Sequence, residues 1–271
     1  MKKTFAIICL SLVTACQSAS TYTPKISQDE LENEQIIQQQ IAKQAAGKPK
    51  IKKIANYDEL SARVWNVSNR LMSPAREICQ TSPYSNESSC AFPVQLGKER
   101  GLNAYADGEK VVIFPEMVLF TQTDDELAYI IAHELAHNIM GHVDSTKSNA
   151  TVGGLLGSVI DIVAQSQGVN TGGGFTKLGA QSAVAAYSKD FEREADYIGM
   201  YIVARAGYDE RPAPELWRRM SAEEPNGIYA GSTHPTNPER FVTMRKIIAE
   251  IESKKQSGAP LAPFYKNKKG S

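Results

Sequence analysis

Residues 123–141 read TDDELAYIIAHELAHNIMG, and the rest of the chain is interpreted outward from them. Thr123 followed three places on by Glu126 is the pattern of a capping box, and Asp124, Asp125 and Glu126 put negative charge where a helix dipole favours it. Leu127, Ile130, Ile131, Leu135 and Ile139 recur at helical spacing, and Gly141 is a plausible stop. On such a helix His133 and His137 lie one turn apart on one face, where two imidazoles can grip one metal ion. His-Glu-x-x-His is a spacing that suits zinc, and it puts Glu134 beside the first ligand as a general base. Read alone, the same short pattern fits a solvated helical turn. The cap and the apolar face argue for the metal.

A catalytic zinc takes three protein ligands, so a third donor is needed. Residues 191–199 read FEREADYIG and supply Glu192. Asp196 follows one turn later on the same face, where it can bond the outer nitrogen of a zinc-bound histidine and fix its tautomer. Without the upstream motif, Glu192 and Asp196 read as solvent-facing charges beside Arg193. The chain has 4 histidines, at 133, 137, 142 and 234, and all but His234 fall around one helix. A three-histidine metzincin pattern needs Gly at 140 and His at 143, where the chain has Met140 and Val143. His142 is therefore expected to support the site from behind or to close a helix end.

Lys2 and Lys3 followed by an apolar run from Phe5 to Val13 form a secretory signal too short to span a bilayer. The boundary Leu12-Val13-Thr14-Ala15-Cys16 resembles a bacterial lipobox, which makes Cys16 the acylated N-terminus; the alternative is ordinary cleavage with Cys16 a free thiol. Gln17 in place of Asp implies, by the sorting rule that goes with a lipobox, the periplasmic face of the outer membrane. Of the 4 cysteines, Cys9 leaves with the signal and Cys16 is lipidated, so Cys79 and Cys90 are expected to pair across a turn-rich loop. With 30 basic and 30 acidic residues the formal charge is zero, and nucleic-acid binding is not indicated.

The organisation expected is a signal at 1–15, a tether and amphipathic segment at 16–53, one metallopeptidase domain at 54–254 and a flexible tail at 255–271. Helices are expected at 57–72, 123–140, 177–206, 213–220 and 238–251, and strands at 92–96, 102–106 and 111–114. Asp107-Gly108 signals a tight hairpin. The fold class is therefore α+β, a mainly helical zincin-like domain with a small antiparallel sheet beside the zinc helix. An exposed edge strand can bind an extended peptide, and Asn103, Ala104 and Tyr105 are the candidates; they fit equally as plain hairpin residues. The glycine-dense stretch 151–157 argues for mobility, and 155–164 for a short helix that is buried, faces a membrane or acts as a lid. No internal repeat is visible.

His133-Glu134-x-x-His137, then Glu192-x-x-x-Asp196, then His234-Pro235 with Arg240, resembles the gluzincin zinc metallopeptidase family that holds HtpX, the CAAX prenyl endopeptidase and the periplasmic proteases BepA and LoiP. The lipobox and paired cysteines make it look most like the small LoiP-type periplasmic lipoproteins. The resemblance implies one zinc ion per chain held by His133, His137 and Glu192, with Glu134, His234 and Arg240 catalytic. His234 would stabilise an oxyanion or occupy the open zinc position at rest; its bland reading is a turn before the helix near Pro238. The function implied is hydrolysis of peptide bonds in unfolded or misassembled envelope proteins, with membrane contact through the lipid. Alternatives are an assembly factor for outer-membrane proteins with a latent zinc site and, less well supported, a cell-wall hydrolase.

Overall fold

The computed structural model describes residues 20–22, 24–45, 56–83, 90–166, 170–174, 177, 187–223, 234 and 238–266. The signal segment and Cys16 lie outside the described residues. The elements are α1 (Gln28–Ala45), α2 (Tyr57–Thr81), β1 (Val94–Leu96), β2 (Ala104–Ala106), β3 (Val111–Ile113), α3 (Pro115–Phe120), α4 (Asp124–Ile139), α5 (His142–Ser166), α6 (Lys189–Arg205), α7 (Ala213–Glu223) and α8 (Pro238–Ser257). Helices dominate beside one small sheet, as the α+β reading requires.

Helix α4 starts as its capping box dictates. Thr123 Oγ1 accepts from the Glu126 amide at 3.2 Å, while the Glu126 carboxylate accepts from the Gln122 amide at 2.7 Å. Gly141, at φ +67°, ends it in the left-handed conformation that glycine takes without steric cost. From Leu127 through Ile139 every residue of α4 is buried, so this helix runs through the core and not along its surface. Its main neighbour is α6, and Gly199 is what lets the two approach. A Cβ at that position would meet the His133 amide nitrogen at 3.1 Å and the Ala132 carbonyl carbon at 3.2 Å, backbone atoms that have little room to yield. The ligand helix and its partner are thus packed backbone to backbone, which brings the acids of α6 to the histidines of α4.

The sheet has the order β1-β3-β2. β2 and β3 form the expected antiparallel hairpin, with Gly108 at φ +100° in its turn, but β1 runs parallel to β3, so the sheet is mixed and not antiparallel throughout. β3, buried on every residue, lies in the middle, and the chain segment between β1 and β2 crosses over to place β1 on its far side. The hairpin turn is pinned to the zinc helix: Asn138 Oδ1 accepts from the Gly108 amide at 2.9 Å and its Nδ2 donates to the Lys110 carbonyl at 3.1 Å.

Other boundaries differ from the sequence expectation for reasons of packing. Helix α2 continues through Pro74 to Thr81, because Ala75, Ile78 and Cys79 beyond the proline are buried in the core. The cost of one lost helical hydrogen bond is met by that burial and by a disulfide joining Cys79 to Cys90, Cα–Cα 5.7 Å. Of the helix expected at 177–206, residues 178–186 lie outside the described residues; α6 covers the later part from Lys189, where the Ser188 hydroxyl caps it by accepting from the Phe191 amide at 3.1 Å. The run at 155–164 is the later part of α5, and Ile162 on it is exposed. Among the described residues no helix is long and apolar enough to cross a membrane.

The described parts of the expected tether and amphipathic segment at 16–53 and of the expected tail at 255–271 are docked on the domain. Glu34 of α1 is fully buried and bound by Arg218 of α7 at 2.6 Å and Arg245 of α8 at 2.7 Å. Beyond α8, the Ala262 carbonyl accepts from Lys254 at 2.7 Å, the Phe264 amide donates to the Tyr197 hydroxyl at 3.0 Å, and Tyr265 pairs with Thr21 in an antiparallel bridge.

Candidate active site

Four donors converge where α4, α6 and the His234 segment meet. His133, His137, Glu192 and His234 are all buried, and one ligand atom from each lies within 4.8 Å of the others. His133 Nε2 is 3.1 Å from His137 Nε2 and 3.3 Å from His234 Nδ1. Glu192 Oε1 is 3.0 Å from His234 Nδ1 and 3.5 Å from His137 Nε2, and its Oε2 is 3.5 Å from His133 Nε2. Zinc bonded tetrahedrally at about 2.0–2.1 Å holds its donors roughly 3.4 Å apart. These separations fit it, and such a crowding of buried ring nitrogens and carboxylate oxygens calls for a cation at its centre. The residues that fit are those the sequence motifs marked, joined by His234 in the fourth place.

Glu134, a buried carboxylate following the first ligand, has its Oε1 3.3 Å from His234 Nε2. His234 therefore spans the cluster, with one ring nitrogen on the ligand side and the other on Glu134. The expectation that His234 faces the site is met geometrically. Arg240 requires a correction: its side chain is fully buried and turned to carboxylates. Its guanidinium is committed to Glu192 Oε2 at 2.8 Å and to both oxygens of Asp196 at 2.7 and 2.9 Å, and it stacks over Trp217 at 4.3 Å. An arginine so used positions the carboxylates and cannot also reach an oxyanion.

Asp196 does what its spacing suggested. Its Oδ1 lies 3.0 Å from His133 Nδ1 and also accepts from the Tyr129 hydroxyl at 2.6 Å. Tyr129 in turn accepts from Trp217 Nε1 at 2.9 Å. Among the protein groups alone, burial opposes charge on His133, but Asp196 and Glu192 outweigh it and hold its pKa up at about 9. Burial likewise opposes charge on Glu192, yet Arg240 and His234 hold that carboxyl well below the usual range. His137, where burial prevails, titrates well below an ordinary histidine.

The outer nitrogen of His137 is supported differently. His142, the first residue of α5, brings Nδ1 to 3.0 Å from His137 Nδ1, and its Nε2 lies 3.0 Å from Glu194 Oε2. With Nε2 of His137 facing the cluster, its proton sits on Nδ1 and is donated to His142, which donates its own to Glu194. Glu194 Oε1 then accepts from the Ser20 amide at 2.6 Å. Thus Glu192, Glu194 and Asp196 all serve the same centre. The sequence placed His142 behind the site but left Glu194 unassigned. It also passed over Tyr187, stacked on the His137 ring at 3.9 Å between centroids, and Tyr129, although Tyr129 stands one turn before His133 on the same helix face.

Asn103, Ala104 and Tyr105 lie on or beside β2, which is an edge strand packed on α4. Ala104 is buried and Tyr105 half-buried, edge-on to Phe114 at 6.0 Å. The Asn103 carbonyl accepts from the Phe114 amide at 3.1 Å. No further strand pairs with β2 among the described residues.

Comparison with known proteins places these residues in a wider set. The profile of Peptidase family M48 matches residues 68–248, a span that includes every donor above. Similar proteins include the mitochondrial metalloendopeptidase OMA1 of Saccharomyces cerevisiae, 32% identical over 148 residues that make up 51% of this chain and 41% of the relative. A putative beta-barrel assembly-enhancing protease of Vibrio cholerae is 26% identical over 71% of this chain and 40% of its own length. The beta-barrel assembly-enhancing protease of Yersinia pestis is 28% identical over 61% and 34% respectively. The chain spans between about a third and about two fifths of the length of these relatives.

Proposed function

The chain belongs to peptidase family M48, and from that premise we propose that it is a zinc-dependent endopeptidase of the bacterial envelope that cleaves unfolded or misassembled proteins there. The observation that carries the catalytic part is the buried Glu134 carboxylate at the edge of a donor cluster with zinc separations. When bound by His133, His137 and Glu192, zinc supplies a Lewis acid and lowers the pKa of water. Glu134 takes a proton at its carboxylate and returns it to the leaving amine. Asp196 and Arg240 hold the ligands in place, and the buried setting keeps bulk water out. His234 occupies the position that a substrate needs, so access requires it to give up its contacts with Glu192 and Glu134; once displaced it is suited to stabilise developing negative charge.

Three features support the envelope setting: the signal-like N-terminus, the lipobox ending at Cys16, and the two bacterial relatives whose names refer to beta-barrel assembly. On this reading Cys16 carries the lipid anchor at the periplasmic face of the outer membrane, and the edge of β2 receives substrate by main-chain pairing.

A second reading, an assembly factor with a latent site, draws on His234 completing the donor set. Glu134→Gln separates the two. The peptidase reading expects cleavage of casein by the variant to fall at least about 100-fold with zinc content unchanged. Undiminished cleavage would sink it, whereas lost cleavage with full function in cells would favour the assembly factor.

A further inference from the structure

The docked ends of the chain define a face of the molecule that the catalytic reading does not use. Ser20, Thr21 and Tyr22 run antiparallel to the segment ending at Lys266: the Tyr22 amide donates to the Phe264 carbonyl at 3.1 Å, and the Lys266 amide donates to the Ser20 carbonyl at 2.7 Å. Thr21 is fully buried in this pairing, and the Ser20 amide is fixed to Glu194. Position 20 is therefore part of the folded domain. Cys16 precedes it by only four residues, a length that a fully extended chain stretches to about 14 Å at most.

An acyl group on Cys16 would then hold Ser20 within about 14 Å of the bilayer. The surface around Ser20 must lie on or just above the headgroups, and its composition suits that position. Tyr22 and Phe264, brought together by the paired strands, are 59% and 55% exposed. Aromatic rings of this kind partition to the boundary between headgroups and acyl chains. Lys25 is exposed nearby in sequence, and the sequence continues past Phe264 with Lys266, Lys268 and Lys269. Clustered lysines beside an anchor are attracted to anionic lipid.

We propose that this face, formed by residues 20–22, 24–25 and 262–266, is a membrane-docking surface that seats the peptidase domain flat on a bilayer containing anionic phospholipid. The proposal rests on the anchored reading given above. It also sets the class of substrate: polypeptide held at the membrane surface is favoured over soluble periplasmic protein. The site is close to the docked face by construction, since Ser20, Glu194, His142 and His137 form one continuous chain of hydrogen bonds.

The test uses the full chain with Cys16→Ser, so that affinity of the face is measured without the lipid. Sedimentation with vesicles of phosphatidylethanolamine and phosphatidylglycerol is expected to show binding, weaker on phosphatidylcholine alone. Adding Tyr22→Ser, Phe264→Ser and Lys25→Glu is expected to weaken that binding about tenfold or more while casein cleavage in solution is unchanged. Absence of binding before these three changes, or equal binding after them, overturns the proposal. In the lipidated protein with about thirty Gly/Ser residues inserted between Gln17 and Ser18, where the short tether no longer holds the domain down, the three changes should lower cleavage of an unfolded peptide anchored to the same vesicles but not of casein; unchanged cleavage of the anchored peptide also overturns the proposal. The mass of the N-terminal peptide from membrane-extracted protein judges the anchor separately: unmodified Cys16 would end the anchored reading, while the vesicle result still decides whether the face binds lipid.

Discussion

His133 and His137 sit one turn apart on one helix, equally buried, yet the protein supports them by different means. Behind His133 stands a carboxylate in direct contact, Asp196, itself locked by Arg240 and Tyr129. Behind His137 stands a second imidazole, His142, and only then a carboxylate, Glu194. One support is charged and rigid, built from α4, α6 and α8; the other is relayed, and it passes out through Ser20 to the N-terminal segment. The electrostatic consequence is visible in the rings themselves: burial acts against charge on both and Glu192 lies 3.5 Å from each, but only His133 also has Asp196 in contact, and there the carboxylates prevail. A metal ligand can thus be oriented either by a carboxylate in direct contact or by one relayed through a second ring, and the second kind is open to influence from elsewhere in the fold.

The largest effect is expected on the rigid side. Asp196→Asn leaves Arg240 buried with half of its counter-charge and removes the acceptor for His133. The expected result is a loss of about 3–5 kcal/mol in urea unfolding and a fall in zinc affinity of about 10- to 100-fold by chelator competition. Gly199→Ala acts on both sides at once, because a methyl group there presses on the backbone of Ala132 and His133. It should cost roughly 1–3 kcal/mol and weaken zinc through a misplaced Glu192; a neutral result would show that the helix crossing is looser than the contact distances say. On the relayed side, Glu194→Gln retains shape and hydrogen bonding to His142, so zinc affinity should fall only about tenfold. A loss as large as that of Asp196→Asn would break the distinction between the two supports. Thr123→Ala, which removes a cap but touches neither histidine, should cost about 1 kcal/mol of stability and leave zinc affinity unaltered.

Much of this architecture was legible because it is local. The start and end of α4, the hairpin at Asp107-Gly108 and the Glu192 to Asp196 spacing are all fixed by neighbours within a turn or two, where cap chemistry and helical period leave a readable trace. Non-local features left none. Nothing in the residues of β1 says that it pairs parallel to β3 across the hairpin, since direction is settled by the crossover. Pro74 reads as a helix end until the burial of Ile78 and Cys79 is known. Arg240 follows a histidine motif and was placed at the reaction centre, whereas tertiary packing delivers it to two carboxylates of α6. Glu194 was missed for the same reason: its partner is 52 residues away. A signal was nevertheless present, for an acid between Glu192 and Asp196 on a helix whose neighbours are apolar has to be paired once buried.

The central claim is that His133, His137 and Glu192 hold one zinc ion on which peptide cleavage depends. Metal analysis of the purified full chain, followed by chelation and stepwise return of zinc with casein cleavage as the readout, tests it most directly. One zinc per chain is expected, with cleavage lost on removal and recovered as one equivalent is restored, and little zinc retained by Glu192→Ala. Cleavage that persists in the metal-free protein, or full zinc content in Glu192→Ala, would contradict it.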